Sequence, residues 1–369
     1  MKNFANKSIT NLKPYKVASH KIWESGSKVN TFINKLDWNE SAIPPSPKVK
    51  EALIKLIKSD FFHLYPQTFN EVLYNSLSKY VDVPTNNIQF FPSSDVIHEY
   101  IVRTFIKADD SAILLWPSYD NFRLTLESAG AKVFYVEFEK DFTFNKKVFT
   151  EKIAHIRPKL VYICNPNNPT GNLIDPEYIN LLINNFPSTL FLIDEAYIEF
   201  CPQYSCCKMV EYADNLLISR TMSKAFGLAN LRFGYLVSSI NNISTINKIR
   251  NPKNVSTLTQ EAVLAALNDI EYMNNYVNNV NDAKSYFIEE INSKFSNTLH
   301  AFESAGNFVL IRCNSLEIKN NLISFLENNN IFVRDVNQSD SLQNCFRITM
   351  GPLEIIKKVI SLITKYFNS

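Results

Sequence analysis

A chain of 369 residues exceeds the size at which one hydrophobic core stops growing, so two domains are expected. Hydrophobic residues make up 46% and charged residues 20%, the balance of an ordinary globular protein, with no apolar run long enough for a membrane span or a signal peptide. With 38 basic and 36 acidic side chains the net charge is +2, which gives no electrostatic reason to expect nucleic acid or an anionic membrane as a partner.

The chain therefore reads as cytoplasmic. Six scattered cysteines form no CxxC pair and the five histidines do not cluster with them, so buried reduced thiols are expected and a metal site is not.

In chain order, segment 41–48 (SAIPPSPK) reads as an extended arm entering a helix at about 46, with Pro47 in its first turn. Short β-rich apolar runs at 88–92, 111–116, 132–138 and 159–164 read as strands, followed by three more at 190–194, 216–220 and 231–237. Amphipathic stretches such as 95–107 and 119–129 separate several of them. This alternation predicts an α/β fold with a seven-stranded, mostly parallel sheet covered by helices on both faces. From about 258 long helical patterns take over. Strands near 307–312, 331–334 and 345–350 and a last helix at 353–367 then describe a smaller α+β unit. Only 7 of the 369 residues are glycine, against a usual share of about 7%. A chain this poor in glycine should keep it where the backbone leaves little choice, and Gly171, Gly227 and Gly234 all fall in the segments that follow.

The sharpest of these is 219–235, SRTMSKAFGLANLRFGY. Lys224 follows a predicted strand and the hydroxyls of Thr221 and Ser223, with Arg232 eight residues later. Hydroxyls with a guanidinium make a phosphate site, and a lysine beside a carbonyl-bearing cofactor can condense with it. NPNNPTG (165–171) places a rigid turn at the carboxyl end of a predicted strand, the rim where open α/β sheets bind ligands. In LFLIDEAY (190–197), Asp194 ends a buried strand, where a carboxylate needs a partner. FPSSDVIHEYI (91–101) is a strand, a turn and a helix whose free N–H groups could receive a phosphate.

Taken together and in this order, these segments resemble the fold type I aminotransferases, specifically the histidinol-phosphate aminotransferase family. The resemblance runs from about residue 11 to 352, through NLKPY (11–15), DWNESAIPPSPKV (37–49), LYP (64–66), WPSY (116–119), the four segments above and RITMG (347–351). It implies pyridoxal 5′-phosphate as cofactor. Lys224 would bind its aldehyde as a Schiff base and then shuttle the substrate proton. Asp194 would pair with the pyridinium nitrogen, Asn168 and Tyr197 with the ring hydroxyl oxygen, and Tyr119 would stack on the ring. Thr221, Ser223 and Arg232, with the backbone at Ser94 and Asp95, would hold the phosphate. Tyr65 would reach the cofactor phosphate of a neighbouring subunit, which implies a homodimer. Arg334 and Arg347, 13 residues apart as in the family, would meet anionic substrate groups, beside Asn39 and Glu40 of the arm. The implied division is an arm over 1–45, a large cofactor-binding domain over 46–270 and a small domain over 271–369.

The chain departs from the family on the substrate side. The Asn-Glu-Asn-Pro arm is Asn39-Glu40-Ser41-Ala42 here, the usual glycine turn before the phosphate helix is Pro92-Ser93-Ser94-Asp95, and Lys16-Val17-Ala18-Ser19 replaces Pro-Gly after KPY. The expected reaction is amino transfer from L-glutamate to a small phosphorylated ketone. Imidazole acetol phosphate is the family default. Dihydroxyacetone phosphate, giving serinol phosphate for a surface polysaccharide, is the alternative, and a decarboxylase resembling the threonine-phosphate decarboxylases is a second. A cofactor-binding regulator would need a basic helix-turn-helix pattern, and none precedes residue 30.

Overall fold

The computed structural model describes residues 4–10, 12–13, 33–60, 62–337 and 339–368, so Pro14, Tyr15 and the Lys16–Ser19 segment lie outside the described residues. The arm contributes β1 (Asn34–Lys35). The seven predicted strands follow as β2 (Ile88–Phe91), β3 (Ser111–Trp116), β4 (Lys132–Glu137), β5 (Leu160–Cys164), β6 (Leu190–Asp194), β7 (Leu216–Thr221) and β8 (Gly234–Ser238). They form one sheet in the order β2-β8-β7-β6-β5-β3-β4. Only β8 opposes its neighbours, so the other six run in one direction.

The central strands are apolar throughout because both faces are covered. Ile113, Leu115, Val161 and Ile163 pack into one hydrophobic cluster, while Ala112, Leu114, Leu160 and Tyr162 pack into another on the opposite face. That two-residue alternation is the strand period, and two covered faces are what a parallel sheet requires. At the edge, β4 exposes Lys132 and Glu137, charges that discourage pairing with another chain. Between β3 and β5 the winding reverses, since β4 lies on the far side of β3. Ligands bind at such a switch point, outside the carboxyl ends of the strands.

The last strand of this sheet begins at Gly234 rather than at 231. Residues Ala229–Leu231 form a 3₁₀ turn and Arg232 takes a left-handed φ of 50°, which no strand can hold. The helix Pro47–Ile57 starts as expected, with Pro47 in its first turn and the Ser46 hydroxyl capping Lys48 N at 3.2 Å.

After the 25-residue helix Ile270–Lys294 come β9 (Leu299–Ala301), β10 (Phe308–Cys313), β11 (Ile331–Phe332), β12 (Arg334–Asp335) and β13 (Cys345–Thr349). Helices Leu316–Asn328 and Leu353–Asn368 cover this unit. The antiparallel order is β12-β13-β10-β9. The strand predicted over 331–334 is in fact two. β11 pairs in parallel with β1 of the arm, whereas β12 turns away to pair with β13. Two backbone ladders thus meet at Val333, one tying down the arm and the other presenting Arg334. No helix among the described residues is long and apolar enough to cross a membrane.

Candidate active site

A cleft of about 790 Å³ opens at the carboxyl ends of β3, β5, β6 and β7. The arm and the β12–β13 pair form its other wall. Of the expected site residues it is lined by Ser94, Asp95, Tyr119, Asn168, Asp194, Tyr197, Thr221, Ser223, Lys224 and Arg232, and across from these by Glu40, Arg334 and Arg347. Asn39 lies behind the lining, fully buried, and Tyr65 stands outside it, 79% exposed with Lys253 over its ring.

Lys224 sits on the bend after β7, and its amine donates to the Trp38 carbonyl of the arm at 3.0 Å. Burial, reinforced by the positive charge of Arg347, pushes its pKa down to about 8. A substantial fraction of the amine is therefore neutral and nucleophilic near physiological pH, where an ordinary lysine is not.

Asp194 ends β6 with only 3% of its surface exposed. Burial raises its pKa, opposed first by His98 and then by hydrogen bonds. It accepts from Tyr162 Oη at 2.9 Å and from Ser219 Oγ at 3.1 Å, and His98 Nε2 lies 3.8 Å away. Neither hydroxyl donor carries a full charge, so apart from His98 at 3.8 Å the Asp194 carboxylate facing the cleft is held by neutral groups.

The NPNNPTG turn holds Asn168 in place. Asn165 exchanges two hydrogen bonds with the backbone of Ile174, and Gly171, at φ 81°, closes the turn by donating to Asn167 O at 2.7 Å. Asn168 Nδ2 donates to Tyr197 Oη at 3.3 Å, and Asn39 Nδ2 donates to the same oxygen at 3.1 Å. Both lone pairs of that phenol are occupied, which leaves its proton to be given to a ligand acceptor.

At the far end, the helix Ser94–Phe105 points its N-terminus at the cleft. Ser93 caps it at φ 103°, a conformation that favours glycine. Thr221 Oγ1, Ser223 Oγ and the Arg232 guanidinium face this N-terminus, with Arg232 resting on Ala229 O at 3.1 Å and beside Asp95 at 3.5 Å. Tyr119 donates to the other oxygen of Asp95 at 2.8 Å. Gly234 makes the arrangement possible, because a Cβ there would lie 2.6 Å from both Ser93 C and Ser94 N. Gly234→Ala is therefore expected to push the helix start outward and weaken phosphate binding by about tenfold or more, read as the dissociation constant of pyridoxal phosphate or of inorganic phosphate on the apoprotein.

On the opposite wall, Arg347 is 8% exposed and donates to Asn168 Oδ1 at 2.5 Å and to Asp37 O at 2.6 Å. Arg334 stands directly opposite it in the β12–β13 register. Two like charges placed face to face disfavour pairing unless an anion bridges them. Within the arm, Lys35 bonds Glu40 and Asp37 and lies 4.7 Å over the Trp38 ring, while Lys224, Arg347 and Thr349 bond Trp38 O, Asp37 O and Asn39 N and hold the arm at the cleft. His98, Tyr162, Ser219 and Trp38 also border the site, and their sequence context alone does not mark them. Each lies in or beside a run read as core or arm, and only a polar residue within an apolar helix face or strand could have marked the first three.

These groups fit pyridoxal phosphate. The helix start with Arg232 suits the dianion, the buried Asp194 suits a protonated ring nitrogen, the Tyr197 hydroxyl suits the ring oxygen, and the Lys224 amine suits the aldehyde.

The sequence profile of the aminotransferase class I and II family matches residues 30–363. A dihydroxyacetone phosphate transaminase of Campylobacter jejuni is 39% identical over 98% of this chain and 97% of its own length. A histidinol-phosphate aminotransferase of Caldanaerobacter subterraneus is 31% identical, over 86% of this chain and 88% of its own. Among solved structures, histidinol-phosphate aminotransferase from Sinorhizobium meliloti, in complex with pyridoxal 5′-phosphate, superposes with a TM-score of 0.86 at 23% identity, covering 98% of this chain and 96% of that one. A profile match over most of the chain, laid on a cleft built for this cofactor, makes the protein a member of the class I and II aminotransferases and a pyridoxal-phosphate-dependent transaminase.

Proposed function

We propose that this transaminase exchanges an amino group between L-glutamate and a small phosphorylated ketone, with dihydroxyacetone phosphate and serinol phosphate as the second pair. The observation that carries the reading is the face-to-face pair Arg334 and Arg347, a receptor for one small anion at a time. A glutamate side-chain carboxylate and a phosphate one carbon from a ketone can occupy it in turn, since guanidinium groups grip both in bidentate geometry. Preference for the shorter acceptor over imidazole acetol phosphate is supported by the arm, which departs from the family pattern at Ser41-Ala42 and brings Trp38 to the cleft wall. It is also supported by the Campylobacter relative, whose name gives that activity and which aligns end to end with this chain.

In this reading each side chain has a definite task. The cofactor, when bound, supplies an electron sink for the bond broken at the substrate's Cα. Lys224 Nζ takes the proton from that carbon and returns it to the other side of the exchange. Asp194 holds the ring nitrogen protonated, at about 1.4 kcal/mol per pKa unit of preference. Tyr197, held by Asn168 and Asn39, would donate to the ring oxygen, and Tyr119 would cover the ring face. Thr221, Ser223, Arg232 and the N–H groups at Ser94 and Asp95 hold the phosphate. Asn39 and Glu40 shape the substrate side of the cleft.

The chain division expected from the sequence belongs to the same reading. The seven-stranded sheet ends before 270, and the four-stranded one lies entirely after it, joined by the arm through β1 and β11. A homodimer is supported by a band of exposed apolar side chains, Ile57, Leu64, Tyr65, Phe69 and Val72. Tyr65 lies within that band, and in such a dimer it would reach a second copy's phosphate. A reducing, cytoplasmic location is supported by six free cysteines, all buried.

The test is a half-reaction on purified, cofactor-loaded protein. Loss of the visible cofactor band is followed after separate addition of glutamate, serinol phosphate and histidinol phosphate. Bleaching by glutamate and serinol phosphate is the expected result. Bleaching by histidinol phosphate and not by serinol phosphate would reassign the acceptor. Carbon dioxide release from a phosphorylated amino acid, without keto-acid formation, would replace transamination by decarboxylation.

A further inference from the structure

We propose that His98 is a positioning residue for the cofactor site, acting on Asp194 through the hydroxyl of Ser219. His98 lies on the helix Ser94–Phe105, one turn below the phosphate-facing end, and is 1% exposed. Its Nε2 is 3.1 Å from Ser219 Oγ, and Ser219 Oγ is 3.1 Å from Asp194 Oδ1.

The direction of these bonds follows from the inventory of protons. An ionised carboxylate only accepts, so Ser219 must give its single proton to Asp194. The Ser219 oxygen must then accept, and the donor is His98 Nε2–H. That assigns the tautomer, with Nδ1 bare, buried and without a hydrogen-bond partner. A hydroxyl that accepts from one group donates more strongly to the next, so the imidazole strengthens the bond that holds the Asp194 charge.

Around the ring stand Asp194 on β6, Tyr162 on β5, Ser219 on β7 and Phe122 on the following helix; of the charged residues on its own helix, Asp95 faces the cleft and Glu99 is exposed to solvent. Tyr162 is neutral and engages the other carboxylate oxygen, while Asp95 opposes ionisation of Asp194. The edges of Phe122 and Tyr162, with ring centroids 5.1 and 5.8 Å from that of His98, fix the plane of the imidazole. The result is a relay that holds an isolated carboxylate ionised and aimed at the cleft before any cation arrives.

The inference rests on the assignment of Asp194 to the ring nitrogen, and the experiment keeps the two apart. The dissociation constant of pyridoxal phosphate is measured from pH 6 to 9 on the apoproteins of wild type, His98→Leu, His98→Gln, Ser219→Ala, the Leu/Ala double variant and Asp194→Asn, with the thermal stability of each. His98→Leu should weaken binding by about tenfold, the worth of one hydrogen bond on a charged group. Its affinity should also fall off at a higher pH on the acid side, because Asp194 protonates sooner. His98→Gln, which can present an N–H in place of Nε2–H, should restore most of the affinity. The double variant should match the weaker single one, since both remove the same relay. Wild-type affinity and acid limb in His98→Leu, or additive losses in the double variant, would overturn the relay. An unchanged constant in Asp194→Asn would instead overturn the assignment on which it stands.

Discussion

Lys224→Ala is expected to lose turnover by about four orders of magnitude while the apoprotein folds normally, measured as glutamate-dependent amino transfer beside a thermal melt. Two losses combine in one substitution. In the proposed roles, the amine that would bond the cofactor aldehyde is gone, and so is the base that would remove the substrate proton. Replacement by arginine should not rescue either, because a guanidinium stays protonated at all working pH values. The fold has little to lose, since the amine donates to one carbonyl, that of Trp38, and otherwise lies 5.6 Å from the Tyr197 ring centre. Its pKa, near 8 in the fold against about 10.4 in an unfolded chain, also gives the wild type a signature. The unfolded lysine binds more protons between those values, so stability of the apoprotein gains from this residue as pH rises from about 8 to 10.4. Lys224→Ala should lack that rise. Turnover within tenfold of wild type in this variant would remove Lys224 from the chemistry.

Most of the large sheet could be read from the sequence because a parallel sheet covered on both faces leaves uninterrupted apolar runs, such as LVYIC and LFLID. The site residues could be read for a related reason. Asp194, Asn168 and Lys224 come at or just after strand ends, where a polar residue breaks the run. What stayed hidden depends on register and on approach between distant segments. The 13-residue spacing of Arg334 and Arg347 says nothing of their standing face to face, which needed the split of the predicted strand 331–334 into β11 and β12. The two-residue pairing of β1 with β11 and the three-residue β9 are too short to show a period. The replacement of the family's glycine turn by Pro92-Ser93-Ser94-Asp95 could be read, but not that Ser93 keeps a positive φ of 103°, because serine there reads as a helix cap. His98, Tyr162 and Ser219 sit inside elements whose other residues are core. A lone polar side chain there is more often a satisfied buried group than a partner of the site.

Asp194→Asn separates the work of a charge from the work of a shape. The substitution keeps the volume of the side chain and one acceptor, but it removes the only carboxylate that ends β6 in the cleft. Turnover is expected to fall by about two to four orders of magnitude, since in the proposed role of Asp194 the ring nitrogen would lose the partner that keeps it protonated. Stability of the apoprotein should move the other way or not at all. Burial holds the Asp194 pKa above its unfolded value, so the folded state binds the extra proton between those two values. The stability that protonation lends is present at low pH and is lost as pH rises through the folded pKa. At neutral pH the wild-type apoprotein therefore carries the cost of a buried charge, and asparagine carries none. The amide does bring an N–H toward either Tyr162 or Ser219, whose hydroxyl must turn to accept it, and this offsets part of the gain. Pyridoxal phosphate should then raise the melting temperature of wild type by more than that of Asp194→Asn, because only the wild type gains a counter-charge on binding. Equal shifts in the two proteins, with equal turnover, would mean that the ring nitrogen is held by a neutral hydrogen bond and that the charge of Asp194 serves the fold alone.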